Sequence, residues 1–409
     1  MGCQVYYFSG AYSQNLKREL NVDQLFSMYH EPKLVIETIE YKRAHPEYTA
    51  NIMLDSGAFS HFQNMKKKGE TLTDKDLYDY TDKYIEYLNQ WGEDLTCFVG
   101  VDSVPDPSNV DHTLIQKTWD NYIYMWERLK PSIRHKLIPV FHYGEDFEWL
   151  KKFLNHVHPD GSRVEYMGLA ISLEGTRKIR INWGQKCMKI IRESTNPNVK
   201  THAFGVGVKS VLEHIDVYST DATSWVKRAA YGMISIDDKA VTVSDVQKEQ
   251  LSGKHYTERA TGYQVAVEEE ALKRGFRIDP EEGTYVVTET GFDGTVGKYL
   301  VKGVLDGTTI KVTFSGETEG WTDTYKLDKV TEYDDGLERD TLCGVWEDTD
   351  GEKAVVFDGF GKFKYDNGRC LSTNPYARAR FNIMDTVEWM KDLKNHRVEV
   401  VMEKKNLGW

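Results

Sequence analysis

The chain has 409 residues, of which 40% are hydrophobic and 28% are charged, and it carries a net charge of −12. This length suits one large domain or two, and this composition suits a globular protein with a sizeable core. The acidic balance excludes a protein whose whole surface carries charge for binding nucleic acid. The acidity is local, because residues 281–350 hold 17 Asp or Glu and 6 Lys or Arg, and their charge of −11 leaves only −1 for the rest. The rest of the chain is therefore free to carry basic patches.

The cysteines are few and scattered, at Cys3, Cys97, Cys187, Cys343 and Cys370. They form no Cys-x-x-Cys pair, which argues against a structural zinc knuckle. An odd number of cysteines and the lack of a signal peptide lead us to expect a reducing cytoplasm. No apolar run approaches the ~18 residues that a membrane span requires, so we expect no membrane association.

Strand-like apolar runs alternate with helical stretches over about the first 240 residues. In chain order these eight runs are 5–8, 51–54, 97–101, 137–141, 166–171, 201–204, 216–220 and 233–236. A polar, helix-like stretch follows the first run, and further helices are predicted at 73–91, 114–130, 147–156, 182–193 and 209–214. The alternation predicts a (β/α)8 TIM barrel. Its main rival, a doubly wound sheet, is disfavoured because no Gly-rich phosphate-binding fingerprint follows the first strand.

Polar residues stand where the predicted barrel strands end, at Asp55, Asp102, His142, Ser172 and Asp221. The carboxyl ends of barrel strands open onto one shared cavity, so three carboxylates there predict an active site. Asp55 begins the segment Asp-Ser-Gly-Ala-Phe-Ser, in which Gly57 lets the chain turn sharply after the strand. Taken singly, a strand-end Asp is also typical of an ordinary turn or a helix cap, and that alternative stays open.

The chain changes character after about residue 280, where Val, Thr, Tyr and Gly become common and the helical pattern is lost. Short strands are predicted at 286–287, 299–301, 310–314, 325–327, 345–346, 354–357 and 361–365, with turns such as Asp306-Gly307 and Ser315-Gly316. We predict an acidic β-rich module, a small barrel or sandwich, at 281–370. It is inserted near the end of a barrel domain, 1–280, which a helix within 371–409 completes. Helices flank the module at about 256–275 and 376–394.

The carboxylates at the predicted barrel mouth allow two kinds of chemistry. Two of them at a sugar carbon allow a double displacement, in which one attacks and the other serves as acid and then as base. A third carboxylate can accept hydrogen bonds from the edge of a nucleobase. Alternatively, the three Asp residues and His142 can hold Mg²⁺ or Zn²⁺ in a metal-dependent hydrolase.

The motifs at these strand ends resemble those of the tRNA-guanine transglycosylases over about residues 1–240. Asp55-Ser-Gly-Ala-Phe resembles the family's Asp-Ser-Gly-Gly-Phe signature. Phe204-Gly-Val-Gly207, followed by Thr220-Asp221, is similar to the Gly-Val-Gly segment that leads to the nucleophilic Asp. The remaining matches, at the family's order and spacing, are Val101-Asp102-Ser103, His142-Tyr143-Gly144, Gly168-Leu169-Ala170 and the segment Lys227–Gly232.

Three departures separate this chain from the tRNA enzymes. It lacks their Cys-x-Cys-x-x-Cys…His zinc site, Ala58 replaces a signature Gly, and His142 replaces a Gln. This pattern, with Asp-Ser-Gly-Ala-Phe-Ser at residue 55 and Thr223-Ser-Trp225 after Asp221, more closely resembles the phage and genomic-island branch that places 7-deazaguanines into DNA. A tRNA-directed enzyme of the same chemistry is the alternative.

The resemblance implies a role for each carboxylate. Asp221 attacks C1′ of a target deoxyguanosine, Asp55 protonates the leaving guanine and deprotonates the incoming 7-deazaguanine, and Asp102 binds the Watson–Crick edge of the base. The implied pocket is completed by Ser56, Phe59, His142, Tyr143, Gly168, Leu169 and Ala170, with Phe59 or Tyr143 stacked on the base. The partners implied are DNA, with the target nucleotide turned out of the duplex, and a free 7-deazaguanine, with no cofactor.

DNA binding requires cations for the phosphates. The candidates are Arg177, Lys178, Arg180, Lys186 and Lys189 in an acid-free run, Lys227 and Arg228 after Asp221, and Lys66–Lys68 after the opening motif. For each group, a solvated surface is the competing interpretation. The charge of the acidic module disfavours phosphate binding and favours a protein partner or a role in orienting the complex.

Overall fold

The computed structural model describes most of the chain. The described residues are 2–10, 12–69, 73–103, 112–171, 175–244, 253–278, 282–290, 296–306, 309–314, 322–332, 342–347, 354–357, 370–372 and 374–395. For residue 112 and for 282–357, only the backbone is described. The chain divides into two compact units, one formed by 1–226 and 386–409 and the other by 227–385.

The first unit is an α/β barrel. Its strands are β1 (Val5–Ser9), β2 (Gln24–Ser27), β3 (Ile52–Asp55), β4 (Cys97–Val99), β5 (Leu137–Ile138), β6 (Val140–His142), β7 (Tyr166–Ala170), β8 (Lys200–Ala203) and β9 (Ser219–Ala222). The intervening helices are α1 (Gln14–Glu19), α2 (Pro32–Ala44), α3 (Ala58–Lys67), α4 (Asp74–Trp91), α5 (His112–Arg128), α6 (Phe147–Asn155), α7 (Arg177–Glu193) and α8 (Lys209–Leu212), and α9 (Ser224–Ala230) follows β9. The strands pair in parallel in the order β5-β4-β3-β2-β1-β9-β8-β7-β6.

Two of these strands, β5 and β6, are halves of one strand position interrupted at Pro139. Proline has no N–H to donate to a neighbouring strand, so the ladder breaks there. The Pro139 carbonyl still accepts a hydrogen bond from the Gly168 N–H at 2.8 Å. With β5 paired to β4 and β6 paired to β7, the ring has eight strand positions. The predicted (β/α)8 barrel is confirmed.

The predicted count of eight strands was reached with two compensating errors. The helix-like stretch expected after β1 contains β2, a short segment in which buried Gln24 donates its amide to the Tyr48 hydroxyl at 2.6 Å. The predicted strand at 233–236 is instead β10 (Met233–Ile236), which forms an antiparallel hairpin with β11 (Lys239–Thr242). Four polar or mixed residues in β2 have too little periodicity to indicate a strand.

Each helix that was predicted with stated bounds corresponds to a helix of the structure. Helix α4 begins one residue after the predicted start at 73, and Thr73 and Asp76 form a reciprocal capping box. Two helices were not predicted, α3 directly after Gly57 and α9 just after β9, and α7 begins at Arg177 rather than near 182. None of the described helices combines the length and apolarity that a membrane span requires.

Alternate residues of each barrel strand face the interior. The interior contains an apolar cluster that includes Tyr7, Met53, Cys97, Val99, Ile138, Val140 and Tyr166. Two residues further along three of these strands, the same alternation places Ser9, Asp55 and His142 at the carboxyl ends. Asp221 pairs with Tyr7 across β9 and β1 and therefore faces inward as well. The carboxyl ends are the polar mouth that the sequence predicted.

The second unit contains the β10–β11 hairpin, α10 (Thr261–Lys273) and the acidic β module. The module is a closed antiparallel barrel of β12 (Glu282–Thr290), β13 (Val296–Asp306), β14 (Thr309–Phe314), β15 (Thr322–Glu332), β16 (Leu342–Glu347) and β17 (Ala354–Phe357). The strand predicted at 361–365 and the two predicted glycine turns lie outside the described residues. The predicted boundary at residue 281 lies inside this unit, next to the start of β12.

Helix α11 (Pro375–Asn395) begins in the second unit and ends in the first. Within the second unit, the Asp385 carboxylate accepts hydrogen bonds from the N–H groups of Asp237 and Asp238, at 2.9 and 3.1 Å. Both of these residues have positive φ, so Asp385 holds the tight turn of the hairpin. Buried Arg378 donates to the carbonyls of Ala229, Leu371 and Ser372.

Gly57 is expected to tolerate no side chain. Its φ of 68° is left-handed, and an added Cβ would lie 2.6 Å from Ser27 Oγ and 2.9 Å from the Tyr29 backbone nitrogen. We expect Gly57→Ala to lower the free energy of unfolding by about 3–5 kcal/mol, because backbone strain and overpacking add. Urea denaturation measures this loss.

Gly69→Ala is the matched control for Gly57→Ala. Gly69 has a φ of 77°, but no atom lies within 4 Å of its added Cβ. Only the conformational cost of about 1–2 kcal/mol is expected there. Equal losses in the two variants would show that packing at Gly57 is unimportant.

Candidate active site

Asp55 lies at the end of β3, beside the two other predicted carboxylates. The Gly57 N–H donates to its Oδ2 at 3.1 Å. Burial raises the pKa of Asp55, the negative charges of Asp102 and Asp221 add to this rise, and the resulting pKa is about 7. A carboxyl group with this pKa exchanges its proton near neutral pH, which suits a general acid and base. The barrel therefore brings the three predicted Asp residues into one electrostatic cluster.

Asp102 belongs to a buried triad that the sequence did not reveal. His142 Nε2 lies 2.8 Å from Asp102 Oδ2, and His142 Nδ1 lies 3.0 Å from Glu145 Oε1. The backbone N–H of His142 also donates to Glu145 Oε2 at 2.7 Å. The His142 and Glu145 side chains are 5% and 2% exposed, so these contacts form with little competition from water.

The triad keeps His142 charged. Burial of the imidazole lowers its pKa, but the hydrogen bonds and charges of Asp102 and Glu145 outweigh that effect and raise the pKa to about 10. Both ring nitrogens therefore act as donors at neutral pH. The imidazolium fixes the orientation of the Asp102 carboxylate and supplies a positive charge beside it.

Asp221 lies at the end of β9 and accepts hydrogen bonds from three directions. Ser9 Oγ donates to Oδ2 at 3.1 Å, and the Gly205 N–H donates to Oδ1 at 2.8 Å. His202 Nε2 lies 3.3 Å from the same Oδ1. Gly205 has a φ of 67°, so the Gly-Val-Gly segment turns in a conformation that presents its N–H to the carboxylate. These donors fix the orientation of the Asp221 carboxylate.

Several residues of this site were missed by sequence reasoning, namely Ser9, Glu145, His202 and Ser219. Ser9, His202 and Ser219 share one signal, since each is a polar residue at an inward-facing position of a strand. Glu145 lies three residues after His142 in a loop, and only its burial in the structure marks it as part of the site.

The other predicted base-binding residues differ in exposure and in their backbone contacts. Phe59, the second residue of α3, is 52% exposed, whereas Ser56 is buried and its Oγ accepts a hydrogen bond from the Ala58 N–H. The Tyr143 N–H donates to the Ala170 carbonyl at 2.9 Å, which joins the two loop segments. Ser172 lies outside the described residues.

The β7 segment contributes mainly packing. The Gly168 N–H is used by Pro139, and a Cβ on Gly168 would lie 2.6 Å from the Phe204 ring. Leu169 lies on the opposite face of β7, toward the helices, and is fully buried. Ala170, next to His142 in register, is the member of this segment that faces the mouth.

The basic run forms helix α7. Arg177, Lys178, Lys186 and Lys189 are exposed on it and Arg180 is half-buried. Arg177 donates to the Ser210 carbonyl at 2.9 Å, and Lys186 lies over the Phe147 ring at 4.0 Å. Helices of an α/β barrel run antiparallel to the strands, so the first turn is nearest the mouth, and Lys189 lies about 18 Å further along.

The remaining predicted cations differ in their surroundings. Lys66–Lys68 are exposed at the end of α3, and Lys227 is exposed in α9. Arg228 is paired within the second unit, with Asp238 at 3.1 Å and with Ser235 Oγ at 2.7 Å. The structure thus gives Arg228 a partner in the hairpin.

Removal of the Glu145 charge is expected to lower the pKa of His142. In Glu145→Gln, one of two carboxylates that hold the imidazolium is replaced by a neutral amide, so its pKa falls from about 10 by roughly 1–3 pH units. Imidazole NMR titration of the intact protein measures this change.

Asp146→Asn is the matched control, because it removes the same charge one residue away. Asp146 is exposed and caps α6 by accepting a hydrogen bond from the Glu148 N–H. We expect the titration of His142 to be unchanged in this variant. An unchanged titration in Glu145→Gln as well would contradict the triad.

The described part of the chain offers no candidate metal centre, and the sequence has no recognised relatives among the proteins compared. Within the described ranges, no group of three or more His, Cys, Asp or Glu side chains has the arrangement of a metal site. Comparison with protein-family models and with curated proteins finds no match for this chain.

Proposed function

We propose that the protein is a DNA guanine transglycosylase that exchanges guanine in DNA for a 7-deazaguanine through a covalent glycosyl-enzyme. The observation that carries this proposal is that Asp55 and Asp221 have different surroundings. Asp55 is buried with a pKa of about 7, whereas Asp221 accepts hydrogen bonds from Ser9, Gly205 and His202. A carboxyl group with a pKa near 7 suits the acid/base role, and a carboxylate oriented by three donors suits the nucleophilic role.

The first half-reaction removes guanine. Asp221 attacks C1′ of the deoxyribose, the C1′–N9 bond breaks, and the electron pair passes to the base. Protonated Asp55 gives its proton to the departing guanine. Asp55 is then an anion, which is the form required for the next step.

The second half-reaction installs the new base. Asp55 takes the N9 proton of the incoming 7-deazaguanine, N9 attacks C1′, and the bond to Asp221 breaks. One group with a pKa near 7 can serve in both directions, since both its forms are populated at neutral pH.

Base recognition is assigned to Asp102 and His142. A carboxylate accepts hydrogen bonds from the N1–H and exocyclic amine of guanine, and the His142 imidazolium orients that carboxylate. Exposed Phe59 at the start of α3 offers a ring for stacking. The use of both His142 nitrogens by carboxylates supports this role over metal ligation.

The DNA strand is assigned to the cations nearest the mouth. Arg177 and Lys178 are exposed in the first turn of α7, where phosphates flanking a turned-out nucleotide can reach them. The acidic β module, by its charge, is assigned to contacts with a protein partner rather than with DNA.

The test is incubation of the full chain with labelled guanine and one polymer at a time: duplex DNA, single-stranded DNA or tRNA. We expect label to enter DNA and an unlabelled 7-deazaguanine to displace it. Incorporation into tRNA alone would overturn the choice of DNA but keep the chemistry. Label in none of the polymers would overturn the proposed function.

A further inference from the structure

The two oxygens of Asp221 have different surroundings. Oδ1 accepts hydrogen bonds from the Gly205 N–H at 2.8 Å and from His202 at 3.3 Å. Oδ2 accepts one from Ser9 Oγ at 3.1 Å. A carboxylate oxygen has two lone pairs, so Oδ1 is occupied by its two donors and Oδ2 retains a lone pair.

A chain of hydrogen bonds leads from His202 into the barrel. His202 Nδ1 lies 2.6 Å from Ser219 Oγ, and the Tyr166 hydroxyl is hydrogen-bonded to the same Ser219 oxygen. His202 and Ser219 are fully buried and Tyr166 is 6% exposed, so water does not replace these contacts. Burial raises the pKa of the Tyr166 phenol well above its usual range and keeps its proton in place.

The direction of this chain follows from its two ends. The Asp221 carboxylate is an acceptor only, so His202 Nε2 must carry the proton that faces it. In a neutral imidazole, Nδ1 is then an acceptor, and Ser219 donates to it. Ser219 Oγ in turn accepts from the Tyr166 hydroxyl. With a neutral His202 imidazole, every proton in this chain of hydrogen bonds points toward Asp221.

We propose that His202, Ser219 and Tyr166 form a directed donor chain that fixes the Nε2–H tautomer of His202 and, with Gly205, builds a two-donor site for Asp221 Oδ1, which makes Oδ2 the attacking oxygen. The inference rests on the proposed function and adds positioning residues to it. His202 acts on the nucleophile, and Ser219 and Tyr166 act through His202.

The hydrogen-bond chain has its largest effect when the bond between Asp221 and C1′ breaks. In the first half-reaction the Oδ2–C1′ bond forms, the C1′–N9 bond breaks, and Asp55 supplies the proton to guanine. In the second, N9 of the incoming base bonds to C1′, its proton passes to Asp55, and the Oδ2–C1′ electron pair returns to Asp221. The two N–H donors at Oδ1 stabilise that returning charge, whereas an ester oxygen accepts from them more weakly.

Loss of the chain is therefore expected to favour the covalent state. Ser219→Ala removes the donor that fixes His202, so the fraction of enzyme held as glycosyl-enzyme at equilibrium with guanine and DNA should rise by about tenfold. Tyr166→Phe leaves Ser219 able to donate and should raise it by about two- to threefold. Denaturing gel electrophoresis with end-labelled DNA measures this fraction.

Tyr7→Phe is the matched control for Tyr166→Phe. It removes the same hydroxyl from the same barrel interior, where Tyr7 contacts Cys97 Sγ at 3.8 Å and lies edge-on to His202 with ring centroids 5.9 Å apart. We expect an unchanged covalent fraction. A rise equal to that of Tyr166→Phe, or no rise in Ser219→Ala, would overturn the proposal.

A second measurement separates this proposal from the proposed function. Selective ¹⁵N labelling of the 12 histidines, with His202→Gln to assign the signal, reports the tautomer of His202 without substrate. We expect the Nε2–H form in the unmodified protein and mixed tautomers in Ser219→Ala. An Nδ1–H form in the unmodified protein would overturn the chain even if base exchange occurs. The Nε2–H form without exchange on any polymer would leave the chain standing and remove the function.

Discussion

Asp221→Asn is expected to abolish the covalent intermediate and to lower base exchange by about 10⁴-fold or more. The amide is a far weaker nucleophile than the carboxylate, and its NH₂ group conflicts with the donors that now face both oxygens. Denaturing electrophoresis with labelled DNA measures the intermediate, and incorporation of labelled guanine measures exchange.

Asp216→Asn provides the control for the loss of one negative charge. Asp216 precedes β9, at the end of the strand opposite to Asp221, and the variant should exchange bases normally. A protein–DNA adduct in Asp221→Asn that is as abundant as in the unmodified enzyme would show that another residue attacks C1′.

Asp55→Asn is expected to slow guanine release by about 10²–10⁴-fold, because the departing base loses its proton donor. In the unmodified enzyme, single-turnover formation of the intermediate should be fastest below pH 7 and fall as pH rises through about 7. The sign follows from the role, since the acid must be protonated and its pKa is raised to about 7. Rates measured from pH 5.5 to 9 give the profile, and the Asn variant should have no such limb.

Asp102→Asn tests the origin of this profile. The Asp102 charge is one cause of the raised pKa of Asp55, after burial. Its removal lowers that pKa, so the falling limb should move to lower pH, while Glu145→Gln leaves it in place. A limb that stays near pH 7 in Asp102→Asn, or that persists in Asp55→Asn, would assign the titration to another group.

The pKa of Asp55 depends on the charge of Asp221, and this dependence bears on the order of the proposed steps. Burial and like charges keep a proton on Asp55 when the site holds an anionic Asp221. In the proposed reaction, attack would convert Asp221 to a neutral ester, which would remove one of those charges and favour the anionic form of Asp55. The proton donor thus becomes a base at the point where a base is required.

Local signals were sufficient for much of the fold. Alternating apolar runs and helical stretches identified the barrel, helical spacing identified α4 to within one residue, and strand-end polarity identified Asp55, His142 and Asp221. These features depend on neighbours within one turn or one strand, so they are visible in a single sequence. β2 was missed for the same reason, because its four residues have no pattern of their own and are held by β1 and β3.

The partners of the carboxylates depended on the tertiary structure. Ser9 meets Asp221 across 212 residues and His202 meets it across 19, through the pairing of β1, β8 and β9. Which side chains share a layer is set by the register of strands around a closed ring, and that register is a property of the whole barrel. The sequence alone therefore determined that carboxylates gather at the strand ends. Only the closed ring decided that Asp221 is held by three hydrogen-bond donors and that Asp55 is buried beside two like charges, which raises its pKa.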